Sequence, residues 1–362
     1  MVERPWFLVV VALSVGCGAT DGPPPHAAAE GTPSLPGTSA TLAPSTAPAA
    51  CLLEGPEATE ATSGAQVVDL ARDPQGRRLV VASDVAWLWG TDGEVATVPV
   101  PPTVSAGALA DEHLVLAADD GWIEGWDAAG ASLRWTVQVP IPDDEWSYVT
   151  DVVVDASGRV ARSTSEYAGE VVVVAPGDDG VATVSEPLAS YLWNVQALRF
   201  VDDGLLVVAG DWYGVPWAEL WDVHDLAAPE VVTTWAPDIH DPGDVPAAAT
   251  VLATALSDDG RLWLVGGTGP HGLPGPGFVG AVDVAARGDT LWTDATTADD
   301  PLGAVAVGDG LITVDAGGAL KLWGADLSSE PALSLERPSV GLVAVGEELW
   351  VGGDGLHTLA CP

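Results

Sequence analysis

Residues 201–210 read VDDGLLVVAG, and residues 218–229 just downstream read AELWDVHDLAAP. A turn rich in Asp and Gly, a run of Leu and Val, and a second apolar run ending on Trp-Asp describe short strands joined by tight turns. The same order recurs along the chain. Its turn-and-strand segments are DPQGRRLVVAS, ADEHLVLAADD, DASGRVARST, VDDGLLVVAG, SDDGRLWLVGG, GDGLITVDAGG and GEELWVGGDG. The first apolar residue after each turn is Leu79, Leu114, Val160, Leu205, Leu262, Leu311 and Leu349, so the interval varies from 35 residues (79 to 114) to 57 (205 to 262). A third strand follows each segment, as in VAWLWGTDG or ALKLWGADLSS, and in the first six units a fourth comes next, as in SLRWTVQVP or EVVTTWAPD. Seven such units, with no helical period, predict an all-β fold over 50–362. The architecture expected is a seven-bladed β-propeller of four-stranded antiparallel blades.

Two variants of the unit carry family resemblances. LWDVHDLAAPE and LKLWGADLSSE resemble the Trp-Asp end of WD-type repeats. IEGWDAAGASLRWTV and GAVDVAARGDTLWTD are similar to quinoprotein-type propeller repeats, in which a Trp closes the fourth strand. Both resemblances imply the propeller fold. Neither implies an activity, because such repeats serve unrelated functions.

The segment before the repeats is of another kind. MVERPW carries Arg4, FLVVVALSV is an apolar run too short for a mature membrane span, and Gly16-Cys17 follows. The stretch Leu13-Ser14-Val15-Gly16-Cys17 resembles a bacterial lipobox. That resemblance implies cleavage after Gly16, a diacylglycerol on the Cys17 thiol, and export to the cell envelope, at the outer membrane or cell surface. Residues 1–16 are then a signal peptide. Residues 17–49, dominated by Pro, Ala, Ser, Thr and Gly, form a disordered tether.

With Cys17 lipidated and the protein in an oxidising compartment, Cys51 and Cys361 remain as one pair. The last unit ends after three strands, and an unassigned apolar run, AACLLEG, stands at 49–55. If strand 50–55 completes the last blade beside 356–361, a Cys51–Cys361 disulfide locks the ring shut. Such a cross-link contributes ~2–4 kcal/mol.

Charge narrows the partners. The chain has 52 Asp+Glu against 12 Lys+Arg, a formal net charge of −40, and Lys321 is its single lysine. A phosphate backbone is repelled by such a body, so nucleic acid is not an expected partner. The chain lacks a Gly-x-Ser-x-Gly elbow, a Walker loop, a Cys-x-x-Cys pair and a His-Glu-x-x-His motif, and its histidines are scattered. Neither catalysis nor a cofactor is expected. A weak calcium candidate is Asp238, Asp241 and Asp244 in PDIHDPGDVP, although the spacing of a calcium loop is missing.

Loop lengths carry the functional expectation. In a four-stranded blade, the loops joining strands two and three and those joining blades lie on one face. Here they hold the long segments at 140–148, 186–194, 211–217, 237–246 and 267–278. These bring Trp146, Tyr148, Tyr191, Trp193, Trp212, Tyr213, Trp217 and His271 to that face. Exposed rings on a rigid scaffold are the usual material of a binding patch. The expectation is a non-catalytic, envelope-anchored propeller lipoprotein that binds a protein partner. The alternative is a propeller hydrolase or a carbohydrate-binding lectin.

Overall fold

A computed structural model describes residues 57–58 and 66–360, apart from short stretches between elements. Strand β1 is Glu57–Ala58. Blade one follows as β2 (Val67–Arg72), β3 (Arg78–Ala82), β4 (Val85–Trp89) and β5 (Val95–Pro99). Blade two is β6 (Val104–Ala110), β7 (His113–Ala118), β8 (Trp122–Asp127) and β9 (Ser132–Gln138). Blade three is β10 (Tyr148–Val154), β11 (Val160–Ser165), β12 (Val171–Pro176) and β13 (Ala182–Val184). Blade four is β14 (Asn194–Asp202), β15 (Leu205–Trp212), β16 (Val215–Asp222) and β17 (Glu230–Trp235). Blade five is β18 (Thr250–Leu256), β19 (Arg261–Gly267), β20 (Gly277–Asp283) and β21 (Leu291–Ala295). Blade six is β22 (Pro301–Val307), β23 (Gly310–Asp315), β24 (Ala319–Trp323) and β25 (Ser329–Ser334). These six sheets are each continuous in sequence. A further sheet is composite: β26 (Ser339–Val345), β27 (Glu348–Gly353) and β28 (Gly355–Ala360) take β1 as their outer strand, in the order β1-β28-β27-β26.

The turns explain the repeat. In DPQG the Gly76 amide donates to the Asp73 carbonyl at 3.1 Å and the Asp73 amide to the Arg77 carbonyl at 3.1 Å. Gly76 has a φ of +88°, which an L side chain rarely adopts, so the unit needs glycine there. Asp155 and Gly158 repeat the arrangement in blade three, and the Asp155 carboxylate also accepts from the Arg159 amide at 2.9 Å. The Asp at the start of the turn thus secures the chain that leaves it.

Packing is between blades, one cluster to each neighbouring pair. Leu79, Val81 and Leu88 of blade one meet Leu114, Leu116 and Trp126 of blade two. Later junctions follow the same scheme around to Val67, Val80 and Trp89 of blade one, which meet Trp350 and Leu356 of the composite blade. There the Trp89 and Trp350 rings stand edge to face, 5.3 Å apart at 87°. The ring of sheets therefore closes on itself through apolar contact as well as through β1.

The described part of the closing strand is short. The described pairing is Glu57 opposite Thr358 and Ala58 opposite His357. The expected strand at 50–55, Cys51 and Cys361 lie outside the described residues, as do residues 1–56 as a whole.

Candidate functional site

The innermost strands β2, β6, β10, β14, β18 and β22 line a central channel of about 540 Å³. Each innermost strand, including β26, carries a register shift near its start, at Val67/Asp69, Val104/Ala106, Val149/Asp151, Val195/Ala197, Val251/Ala253, Pro301/Gly303 and Ser339/Gly341. A bulge re-aims the residue that follows it. At this repeated position five blades carry Ala or Gly, and two carry aspartate: Asp69 and Asp151.

Both aspartates bridge to the next blade. Asp69 Oδ1 accepts from the Leu70 amide at 2.7 Å, and Oδ2 accepts from the Gly107 amide of β6 at 2.8 Å. Asp151 Oδ2 accepts from the Leu198 amide of β14 at 2.7 Å. An innermost strand is an edge strand, and its unpaired amides need acceptors. These carboxylates supply them. Burial deep in the ring pushes the Asp69 carboxyl up to about 6, against the lowering effect of its two amide donors. Burial, reinforced by the charge of Asp69, pushes Asp151 up to about 7, while Leu198, Val152 and Arg199 pull the other way. Both side chains line the channel and remain partly accessible from it.

Arg199 of β14 completes the polar set. Its Nη2 donates to the Thr254 carbonyl at 3.1 Å, and its Nε lies 3.4 Å from Thr254 Oγ1 on β18. Burial lowers the Arg199 pKa, and Asp151 opposes that shift. No described histidine lines the channel.

The second candidate is the face carrying the loops between blades. Tyr148, the first residue of β10, is 43% exposed, and Trp193, just before β14, is 39% exposed. The Trp193 amide donates to the Asp211 carbonyl at 2.9 Å, which fixes it beside the β15–β16 hairpin. Segment 211–217, expected as a loop, is instead the tip of that hairpin. Trp212 pairs with Val215, and Gly214 turns the chain with a φ of +76°. Each of these two strands is eight residues long, against six for β11 and β12 of the preceding blade. The Trp212 and Trp217 rings lie 5.7 Å apart at 50°. Trp217 packs down against the core between blades three and four, so it supports the tip more than it presents itself.

Sequence reasoning missed Trp122, which is 38% exposed at the start of β8. It follows the turn at 119–121, where Asp119 Oδ1 accepts from the Val149 amide of the next blade at 2.9 Å. The signal was the bulky ring placed directly after the Asp-Asp-Gly turn. Exposed Asp119, Asp120 and Glu186 give this face an acidic border. Trp146, Tyr191, Tyr213, His271, the calcium candidates Asp238, Asp241 and Asp244, and the lipidation candidate Cys17 lie outside the described residues. Among the described residues no group of three or more His, Cys, Asp or Glu is placed to hold a metal ion.

Searches with the sequence match no protein-family model and no curated protein.

Proposed function

We propose that this chain is an envelope-anchored β-propeller lipoprotein that serves as a non-catalytic, protein-binding scaffold. The observation that carries the reading is the set of exposed rings, Trp122, Tyr148 and Trp193, with the half-buried Trp212 beside them, over blades two to four on one face. The scaffold beneath is tied blade to blade by side chains and backbone, so the rings are held with little freedom to lose on binding. Aromatic rings inside an acidic border suit a partner that presents Lys or Arg, through cation–π contact and charge complementarity. In this reading Cys17 bears the lipid, the tether at 17–49 gives the body its reach, and a Cys51–Cys361 disulfide supports the composite blade.

The hydrolase alternative draws on the converging Asp69 and Asp151. Their oxygens are engaged by backbone amides of neighbouring strands, which suits bracing the ring. The lectin alternative calls for one similar pocket per blade, and among the described residues the exposed rings are confined to blades two to four.

The test is a crosslinking pull-down from native membranes with the wild type and with the double variant Trp193→Ala/Trp212→Ala. The reading expects a defined protein partner on the wild type that is lost from a correctly folded double variant. An unchanged set of partners overturns it. Labelling with a radioactive fatty acid tests the anchor separately: Cys17→Ser is expected to lose the label, and a retained label contradicts lipidation at Cys17. Intact mass with and without reductant tests the disulfide, and two free thiols before reduction rule it out.

A further inference from the structure

The rings on the loop face form a row, and hydrogen bonds between blades tie that row together. Asp119, in the turn that carries Trp122, accepts from the Val149 amide of blade three, next to Tyr148. The Gly169 amide of blade three donates to the Trp193 carbonyl at 3.2 Å, and the Trp193 amide donates to the Asp211 carbonyl of the β15–β16 hairpin. The Gly214 amide closes that hairpin on Asp211 Oδ1 at 2.8 Å. Trp122, Tyr148, Trp193 and the half-buried Trp212 therefore follow one another across blades two to four as one connected strip. A pre-organised strip suits a ligand that is itself long and narrow.

Charge is sorted between the two faces. Beside the rings the exposed charged side chains are Asp84, Asp119, Asp120 and Glu186, and among the described residues no Lys or Arg is exposed on this face. The surface arginines stand at the opposite, short-turn face: Arg72 ends β2, Arg78 starts β3, Arg159 leads into β11 and Arg261 starts β19. There Arg134 pairs with Asp127 at 2.9 Å and Arg159 with Asp155 at 3.7 Å. Among the described residues, fixed cations thus offset the negative potential of the short-turn face and leave that of the ring-bearing face in place.

We infer that the strip receives an extended basic peptide segment, laid across blades two to four with its Lys or Arg side chains over the rings and beside Asp120 and Glu186. This rests on the reading of the loop face as the partner's site, and it specifies what the partner presents there. Each ring offers its negative π-face to a cation, and the neighbouring carboxylates supply the counter-charge. Because those carboxylates attract from a distance, association quickens as salt is lowered.

The test is fluorescence anisotropy of the full chain with a labelled peptide of five Lys-Ser repeats, and with a Glu-Ser peptide of equal length as the control. In about 20 mM salt the Lys-Ser peptide is expected to bind with a Kd below ~100 μM, weakened at least ~10-fold in about 200 mM salt. The charge reversal Asp120→Lys/Glu186→Lys should lose at least ~10-fold, and the milder Asp120→Asn/Glu186→Gln should lose less. Asp202→Lys/Asp203→Lys on the short-turn face changes the net charge by the same amount and should alter binding less than ~2-fold. Trp193→Ala should lose a further ~2–5-fold. No binding of the Lys-Ser peptide, equal binding of the Glu-Ser peptide, equal losses in the two charge-reversed pairs, or full affinity in Trp193→Ala overturns the inference. A pull-down partner that depends on Trp193 and Trp212, found where the Lys-Ser peptide does not bind, removes this inference and leaves the scaffold reading standing.

Discussion

The central channel and the loop face are built from the same repeat and diverge in opposite directions. In the channel, polar side chains replace the small residues of the repeat at Asp69 and Asp151, and they turn inward to meet backbone donors of the next blade. On the loop face, large rings stand at strand starts and hairpin tips, and they turn outward. The repeat itself, with its glycine turns and Leu/Val strands, is spent on packing blade against blade. Function is therefore to be sought where the blades depart from one another, and the two departures have different physical signatures. Polar substitution inside couples to stability and pH. Apolar substitution outside couples to binding.

The sharpest way to break that distinction is through pH. Asp69 and Asp151 titrate at about 6 and about 7 when folded, against 3.8 as the reference value. The folded state therefore binds their protons more tightly than the unfolded chain. Their contribution is fully present below about pH 4 and is lost as pH rises through 6 to 7. Chemical denaturation from pH 4 to 8 should show the wild type losing stability relative to Asp69→Asn/Asp151→Asn, by an amount on the order of 3 kcal/mol. A difference that stays constant with pH would mean that these carboxyls titrate normally in spite of their burial.

A smaller effect is expected from removing an acceptor outright. Asp151→Ala leaves the Leu198 amide without its partner and should cost ~1–3 kcal/mol at low pH, where charge no longer contributes. Stability unchanged at pH 4 would show that the bridge between blades three and four does not hold the ring. The contrasting substitution is on the other surface. Trp193→Ala or Trp122→Ala should change unfolding free energy by less than ~1 kcal/mol, since both rings are already partly in water. A larger loss would make these rings structural and remove the basis of the binding face.

The smallest expected effect concerns a buried cation that belongs to neither region. Arg162 on β11 is fully buried, donates from Nη1 to the Val139 carbonyl at 3.1 Å, and meets Glu170 at 3.9 Å. Its Nε and Nη2 find no hydrogen-bond partner. Replacing a poorly satisfied buried ion by an apolar side chain of similar volume is often neutral or stabilising. Thermal unfolding of Arg162→Met should therefore match the wild type within ~1 kcal/mol. A loss of several kcal/mol would reveal a function for the charge that the contacts do not show.

Much of the architecture was legible because each blade states it again. Glycines such as Gly76 and Gly158, and the Leu or Val after each turn, repeat the same local requirement, and repetition makes a weak signal strong. Strand counting also pointed to a final blade that needs an N-terminal partner. The described part of that partner was not legible. A two-residue outer strand, Glu57–Ala58, has no apolar pattern to mark it, and AACLLEG lies outside the described residues. Asp69 and Asp151 were hidden for a related reason. In a valine-rich run a single Asp reads as solvent-facing, and only the bulge register shows that it turns to the next blade. The segment at 211–217 was misread because Trp, Tyr, Gly and Pro together suggest a loop, although its outer residues extend β15 and β16.

The account rests most heavily on one face of the propeller being the one that meets a partner. A photo-crosslinking amino acid placed at Tyr148, Trp193 or Trp212 tests this in cells that produce the protein, with Gln75 and Asp203 on the turns of the opposite face as controls. The account predicts one discrete protein adduct from the three aromatic positions and none from the controls. Equal adducts from both faces, or adducts from the controls alone, would contradict it.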